Sequence, residues 1–174
     1  IFVSIGSNVE RERHIRAAVA ALRAHYGALQ LSSVYESEAV GFKGDPFLNL
    51  VAAFDAVERP EQINATLHAI EAEWGRVRGD SRFASRTLDI DILLYDDQII
   101  EQVGLRLPRE EITRHAFVLQ PLAEIAGERR HPISGERFAD LWAAWEGAQQ
   151  RLWKIPFEFP PPLLPPHSDS QKVR

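Results

Sequence analysis

Two spacings of apolar residues along the first half of the chain predict strands and helices in alternation. The run IFVSIG at 1–6 is apolar, ends in glycine and predicts a buried first strand. Residues 10–26 then repeat apolar positions at helical spacing, and Gly27 suits the end of that helix. The stripe consists of Ile15, Ala18, Val19 and Leu22. Residues 28–40 form the next predicted strand, so the chain begins strand, helix, strand.

The pattern continues in the same sense beyond a loop at 41–46, which contains two glycines and a proline. FLNLVAAFDAV at 47–57 predicts a strand. A helix is predicted over 60–74, with Pro60 at its first position. The stretch RTLDIDILLY at 86–95 predicts a further strand, closed by a turn at Asp96-Asp97 and followed by QII. Short helices are predicted within 116–126 and over 138–146.

The element order β-α-β-β-α-β predicts an α+β fold of the ferredoxin-like type. In this sandwich, helices pack on one face of a mostly antiparallel sheet. We expect one domain over 1–155. From 156 to 174 the chain is rich in proline and then polar, which is typical of an extended or disordered tail.

Composition narrows the classes of function. The 174 residues carry a net charge of −5, whereas dedicated nucleic-acid binders usually show a basic excess. The chain has no cysteine, which excludes disulfides and thiolate metal sites. No apolar run reaches the ~18 residues that span a bilayer, and no secretory signal pattern is present. We therefore expect a cytoplasmic protein that binds neither nucleic acid nor membranes.

Two acidic residues interrupt the apolar strand RTLDIDILLY. Because side chains alternate along a strand, Leu88, Ile90, Ile92 and Leu94 are expected on one face, with Asp89 and Asp91 together on the other. The two Cβ atoms should then lie about 7 Å apart. That spacing suits carboxylates that hold one divalent cation, or two cations between them, and oxygen ligands favour Mg²⁺. The alternative is a solvated sheet face that is merely acidic.

Arginine is concentrated in the loop just before this strand. Among residues 76–86 there are four arginines against one acid, Asp80, and no helical or strand period. Arginines beside a magnesium site indicate a triphosphate substrate, whose charge they would neutralise. The alternative is an exposed basic turn paired with Glu71 or Glu73. Neither a Walker A motif nor G-x-G-x-x-G occurs, so ATP would not be bound by a P-loop or a Rossmann turn.

The segment R-F-A-S-R-T-L-D-I-D-I-L at 82–93 resembles the signature of the 6-hydroxymethyl-7,8-dihydropterin pyrophosphokinase family of folate biosynthesis. Shorter matches follow the family order: I-G-S-N at 5–8, F-L-N at 47–49, I-E-A-E-W-G-R-V-R at 70–78 and F-V-L-Q-P-L-A-E-I-A at 117–126. The resemblance implies a ferredoxin-like monomer that transfers pyrophosphate from ATP to the pterin hydroxymethyl group and releases AMP.

The resemblance also implies roles for individual residues. Asp89 and Asp91 would bind two Mg²⁺ ions that bridge the ATP phosphates, and Arg76 and Arg86 would act with them in catalysis. ATP would further be bound by His68, Glu71, Arg78, Arg82, Phe83, Ile92, Arg109 and His115. The pterin would be held by Ser37, Val40, Gly41, Phe47, Asn49 and Phe117. A flat ring suits the space between two aromatic rings, and Asn49 offers a donor and an acceptor to an amide edge.

Two positions depart from the family pattern. Arg109 stands where the family commonly has histidine, and His115 stands where it commonly has arginine, both near the phosphates. These departures keep a divergent paralogue open, one that binds pterin or nucleotide with weak turnover. The sequence is also compatible with a non-enzymatic ferredoxin-like module, such as an RNA binder, and with a magnesium-dependent transferase that uses another acceptor.

Overall fold

A computed structural model describes residues 1–38, 44–75, 88–147 and 150–161 of the chain. The strands are β1 (Phe2–Ser7), β2 (Gln30–Leu31), β3 (Val34–Ser37), β4 (Phe47–Ala53), β5 (Asp89–Leu94), β6 (Ile100–Gln102), β7 (Leu105–Leu107) and β8 (Leu152–Ile155). The helices are α1 (Arg11–Tyr26), α2 (Pro60–Glu73), α3 (Glu111–Arg114), α4 (Ala116–Ala126) and α5 (Phe138–Ala143).

The main sheet has the strand order β5-β1-β4-β3-β8, with β2 also paired to β4. All of these pairs are antiparallel. The order β5-β1-β4-β3, with α1 after β1 and α2 after β4, is that of a ferredoxin-like sandwich. The predicted α+β fold is confirmed. β5 forms one edge of the sheet, and β8 extends the other.

α1 and α2 cover the first face of the sheet. Their apolar stripes meet the alternate residues of β1, β4 and β5 in a buried cluster, called the first cluster below. The helical residues are Ile15, Ala18, Val19, Leu22, Ile63, Leu67 and Ile70, and the strand residues include Val3, Ile5, Leu48, Leu50, Ile90 and Ile92. Burying one aliphatic side chain of this kind stabilises a fold by about 1.5–3 kcal/mol, so this layer fixes the register of the three strands.

α4 and α5 lie on the second face but cover only part of it. They pack on Phe2, Val51, Leu93 and Leu94 in a separate apolar cluster, the second cluster. Helices therefore lie on both faces, and the expectation of a single helical face is wrong. The reason is the sequence of α4, AFVLQPLAEIA, which buries Val118, Leu119 and Leu122 against the sheet.

The alternation along β5 breaks near its end. Val3 pairs with Ile92 and Phe2 with Leu94, so Leu93 is an extra residue in the ladder. Such a bulge reverses which face the following residue occupies. Leu94 consequently packs with the second cluster, and its expected place on the face of Ile90 and Ile92 is wrong.

Several element boundaries also differ from the prediction. The strand predicted over 28–40 is two strands, because the Ser32 Oγ accepts a hydrogen bond from Val51 N at 2.9 Å and interrupts the regular ladder. The strand predicted over 47–57 ends at Ala53, and the helix predicted over 138–146 ends at Ala143. QII begins the hairpin β6-β7, whose second strand was not predicted. α3 and β8 were not predicted either.

Residues 156–161 follow β8 without regular secondary structure and lie along α1. Arg16 Nε donates to Glu158 O at 3.2 Å, and its guanidinium lies 4.5 Å from the centre of the Phe157 ring. Arg23 Nη1 donates to Pro160 O at 3.0 Å. The rest of the predicted tail lies outside the described residues, and the domain boundary at 155 stays a prediction. None of the helices in the described ranges combines the length and apolarity needed to cross a membrane.

Candidate active site

The part of the second sheet face that α4 leaves uncovered carries polar residues in register. Asp89 pairs with Gly6 and Asp91 with Ser4 across β1 and β5. On the other side of β1, Gly6 pairs with Asn49 and Ser4 with Val51. Directly paired residues share a face, so Asn49, Gly6 and Asp89 form one row across three strands. As predicted, Asp89 and Asp91 lie on the face opposite Ile90 and Ile92.

Glu71, in the last turn of α2, lies beside these two acids. It is fully buried, and its Oε1 accepts a hydrogen bond from Ile90 N at 2.8 Å. Among the described strands, β5 lies at one edge of the sheet, so this carboxylate satisfies a backbone donor on the side of β5 that faces away from β1. His68 lies one turn earlier on the same helix and is half-buried.

The three carboxylates form a candidate cation site. One oxygen each from Glu71, Asp89 and Asp91 lie within 4.8 Å of one another. Carboxylate oxygens are the ligands that Mg²⁺ prefers. The donor chemistry of these residues therefore fits the predicted cation, while the number of ions stays a prediction.

Arg109 reaches the same cluster from the segment after β7. Its Nη2 lies 3.3 Å from Asp91 Oδ1, and its Nε lies 3.2 Å from Glu111 Oε2. Burial alone would lower the pKa of Arg109, but the carboxylates of Asp91, Glu111 and Asp89 raise it above its usual value. The guanidinium is therefore a fixed positive charge next to the candidate cation site.

His115 stands between α3 and α4 and carries little charge at neutral pH. Burial lowers its pKa below 6.5, Glu111 opposes this shift, and Arg114 adds to it. The imidazole stacks on Phe117, with ring centres 4.8 Å apart and planes inclined by 13°. Arg114 ion-pairs with Glu110 at 3.0 Å. Where the family pattern leads one to expect a permanent cation, position 115 thus carries a stacked ring whose pKa is lowered.

Asn49 and Ser37 are buried polar residues at the other end of the row. Asn49 Nδ2 donates to Ser37 Oγ at 2.8 Å, which fixes the orientation of the amide. A Cβ atom placed on Gly6 would lie 3.0 Å from Asn49 Oδ1. Glycine at position 6 therefore leaves the space that the Asn49 amide occupies. Phe47 lies at the start of β4, opposite Ser37.

The remaining predicted site residues divide into two groups. The side chain of Ile92 is buried in the first cluster, so only its backbone could face a nucleotide. Val40, Gly41, Arg76, Arg78, Arg82, Phe83 and Arg86 lie outside the described residues, and their roles stay predictions.

Sequence reasoning missed three residues that shape the site. Glu111 orients Arg109, and Gly6 accommodates Asn49. Gln150, just before β8, contacts the α3–α4 junction: its Oε1 accepts from Ala116 N at 2.7 Å, and its Nε2 donates to Arg114 O at 3.0 Å. The I-G-S-N match contains Gly6 and is the one signal that could have found it. Glu111 and Gln150 act through contacts that no sequence spacing predicts.

Comparison with known proteins places the chain beside one family. The family model of 7,8-dihydro-6-hydroxymethylpterin-pyrophosphokinase matches residues 2–127. The chain is 38% identical over 156 residues to 2-amino-4-hydroxy-6-hydroxymethyldihydropteridine pyrophosphokinase of Pseudomonas aeruginosa, covering 86% of this chain and 95% of that protein. The protein of the same name in Bacillus subtilis is 37% identical over 128 residues, which cover 71% of this chain and 76% of that protein.

Solved structures support the fold independently. A Plasmodium falciparum HPPK-DHPS triple mutant superposes with a TM-score of 0.66 at 13% identity. The match covers 82% of this chain and 40% of that longer one. At this identity the likeness shows the fold alone.

Proposed function

The chain belongs to the 7,8-dihydro-6-hydroxymethylpterin-pyrophosphokinase family, and we propose that it transfers a pyrophosphoryl group from ATP to the hydroxymethyl group of 6-hydroxymethyl-7,8-dihydropterin. AMP is the second product, and the step belongs to folate biosynthesis. The observation that carries the proposal is the row Asn49–Gly6–Asp89. This row spans two strand spacings, about 10 Å, between the Asn49 amide and the acidic cluster. A bicyclic ring with a hydroxymethyl arm can bridge that distance.

The amide end of the row would hold the pterin. Ser37 fixes the Asn49 amide, so that its acceptor and donor meet a complementary ring edge in one orientation. Phe47 and Phe117 would enclose the flat ring between them, and Val40 and Gly41 would complete the pocket. Gly6 provides a floor without a side chain beneath the ring.

The acidic end would hold the triphosphate with two Mg²⁺ ions, ligated by Asp89 and Asp91 with Glu71 beside them. When bound, Mg²⁺ would neutralise phosphate charge as a Lewis acid. His68, Ile92, Arg109 and His115 would face the nucleotide. Arg76, Arg78, Arg82 and Arg86 would neutralise charge from the loop before β5, and Phe83 would help close that loop.

The proposed reaction is an in-line displacement at the β-phosphorus of ATP. The hydroxymethyl oxygen forms a bond to that phosphorus and gives up its proton, while the bond to the oxygen bridging the α- and β-phosphates breaks and AMP leaves. The residues contribute positioning and charge neutralisation, with little need for a strong base. A closed loop over the phosphates would exclude water, which otherwise competes as acceptor.

ATP turnover with and without the hydroxymethyl-dihydropterin tests the proposal, with AMP and ADP separated. We expect AMP, and only when the pterin is present. ADP would instead indicate ordinary kinase chemistry with another acceptor. Binding of pterin or nucleotide without turnover would indicate the divergent paralogue that Arg109 and His115 keep open. Binding of single-stranded RNA in place of these substrates would identify a binding module.

We also propose that the protein acts as a monomer in the cytoplasm.

Replacing one proposed ligand tests the cation site directly. Asp91→Ala should lower AMP formation about a thousandfold, because metal charge neutralisation contributes several kcal/mol and each 1.36 kcal/mol is tenfold in rate. Asp97→Ala is the matched control, since Asp97 is 83% exposed in the turn after β5. Near-normal turnover by Asp91→Ala would exclude the metal assignment.

A further inference from the structure

Arg109 is held more firmly than an ordinary surface arginine. Its side chain is 30% exposed, whereas those of Arg106 and Arg114 are 64% and 67% exposed. Its backbone is anchored on both sides, since Arg109 N donates to Leu93 O at 3.0 Å and Ile112 N donates to Arg109 O at 3.2 Å. The guanidinium is therefore directed at Asp91 by the backbone of β5 and the start of α3.

This placement creates a competition for Asp91. A guanidinium 3.3 Å from the carboxylate already neutralises part of the charge that a divalent cation would use. It also repels any cation held by Glu71, Asp89 and Asp91.

We propose that Arg109 is a resident counter-ion of the acidic cluster, which lowers its affinity for free divalent cations and couples cation binding to the arrival of a triphosphate. The inference rests on the proposed function. Phosphate oxygens offer a guanidinium charge-assisted, bidentate hydrogen bonds. Arg109 would turn from Asp91 to the phosphates, which removes one competing positive charge from the carboxylate as the cation binds. Glu111 would remain bonded to Arg109 Nε during this exchange, so the arginine side chain stays at the site.

The first arm of the test is calorimetric titration of the nucleotide-free protein with Mn²⁺ at low ionic strength. Arg109→Gln should bind Mn²⁺ about tenfold more tightly than the wild type, because a like charge close to the ion is removed. Arg109→Lys keeps the charge and should remain within about threefold of the wild type. Arg106→Gln removes the same charge from an exposed site and should change nothing.

The second arm measures binding of α,β-methylene-ATP in EDTA. Here Arg109→Gln should bind more weakly than the wild type, because a phosphate partner is lost. Opposite changes in the two arms are the signature of the exchange, since a merely structural role would weaken both. The proposal is overturned if Arg109→Gln leaves Mn²⁺ affinity unchanged, weakens it, or leaves nucleotide affinity unchanged. Neither arm requires turnover, so the result is distinct from a failure to form AMP, which would overturn the proposed function itself.

Discussion

Glu71 has two separable tasks, one structural and one at the candidate cation site. Its Oε1 accepts the hydrogen bond of Ile90 N at 2.8 Å in a fully buried position, and the same side chain offers an oxygen to the acidic cluster. Substitution by Gln and by Ala divides these tasks. Gln keeps the shape and an amide oxygen that can accept the bond, whereas Ala removes both. Neither retains the charge.

The expected cost follows from these contacts. Glu71→Ala leaves the buried Ile90 N–H without an acceptor, which costs about 1–3 kcal/mol. The loss of one buried methylene adds ~0.8 kcal/mol. Glu71→Gln exchanges a charged acceptor for a neutral one, which costs about 1 kcal/mol. We therefore expect the Ala variant to be less stable than the Gln variant by about 1–3 kcal/mol.

Urea denaturation in EDTA measures the stability of each variant without bound cation. Mn²⁺ titration and AMP formation then measure the site. Both variants should bind Mn²⁺ at least about tenfold more weakly than the wild type, since a charged ligand is missing. Glu73→Gln is the matched control, because Glu73 lies in the same turn of α2 but is exposed.

Two outcomes would refute this reasoning separately. Equal stability of the Ala and Gln variants would show that the hydrogen bond to Ile90 N does not stabilise the edge of the sheet. Wild-type Mn²⁺ affinity in Glu71→Gln would show that Glu71 is not a ligand, although it lies within reach of both aspartates.

Three further predictions concern the rest of the molecule. Gly6→Ala should displace the Asn49 amide and raise KM for the pterin roughly fivefold, from the ~1 kcal/mol of one hydrogen bond; an equal rise in KM for ATP would contradict a local effect. Burial lowers the pKa of His115, so the unfolded chain binds a proton at this imidazole more readily than the folded protein does. The contribution of His115 to the free energy of unfolding is therefore present above pH 6.5 and lost on acidification. His115→Phe should therefore lose less stability than the wild type between about pH 7 and 5 in denaturant titrations, and identical losses would disprove this. Phe157→Ala should lower the free energy of unfolding by about 1–2 kcal/mol, whereas Val57→Ala, at a 99% exposed position, should have almost no effect.

The parts of the fold that could be predicted from sequence are those fixed by burial on one face. The apolar stripe of α1 and the alternation at Ile90 and Ile92 directly record contact with the first cluster. The missed features depend on pairing between distant segments. The break at Ser32 needs Val51 as partner, and the reversed face of Leu94 needs the register with β1. No local spacing contains that information.

The same distinction holds for the candidate site. Asp89 and Asp91 stand out because acids in an apolar strand are conspicuous, and the resemblance supplied Asn49. The pairing of Arg109 with Asp91 could not be predicted, because their approach requires β5 and the segment after β7 to meet. The lowered pKa of His115 likewise follows from burial at the α3–α4 junction, which sequence alone does not show.

The register of three strands is what assembles this site. On the second face, each strand changes from apolar to polar in the same direction: Phe2 to Ser4 on β1, Val51 to Asn49 on β4, and Leu93 to Asp89 on β5. A slip of one residue in β5 would turn both aspartates into the first cluster and expose Ile90 and Ile92. The apolar layer under α1 and α2 opposes that slip, so the core on one face holds the carboxylates in place on the other. Because α4 covers only the apolar end of the second face, residues at the polar end can change without disturbing helix packing.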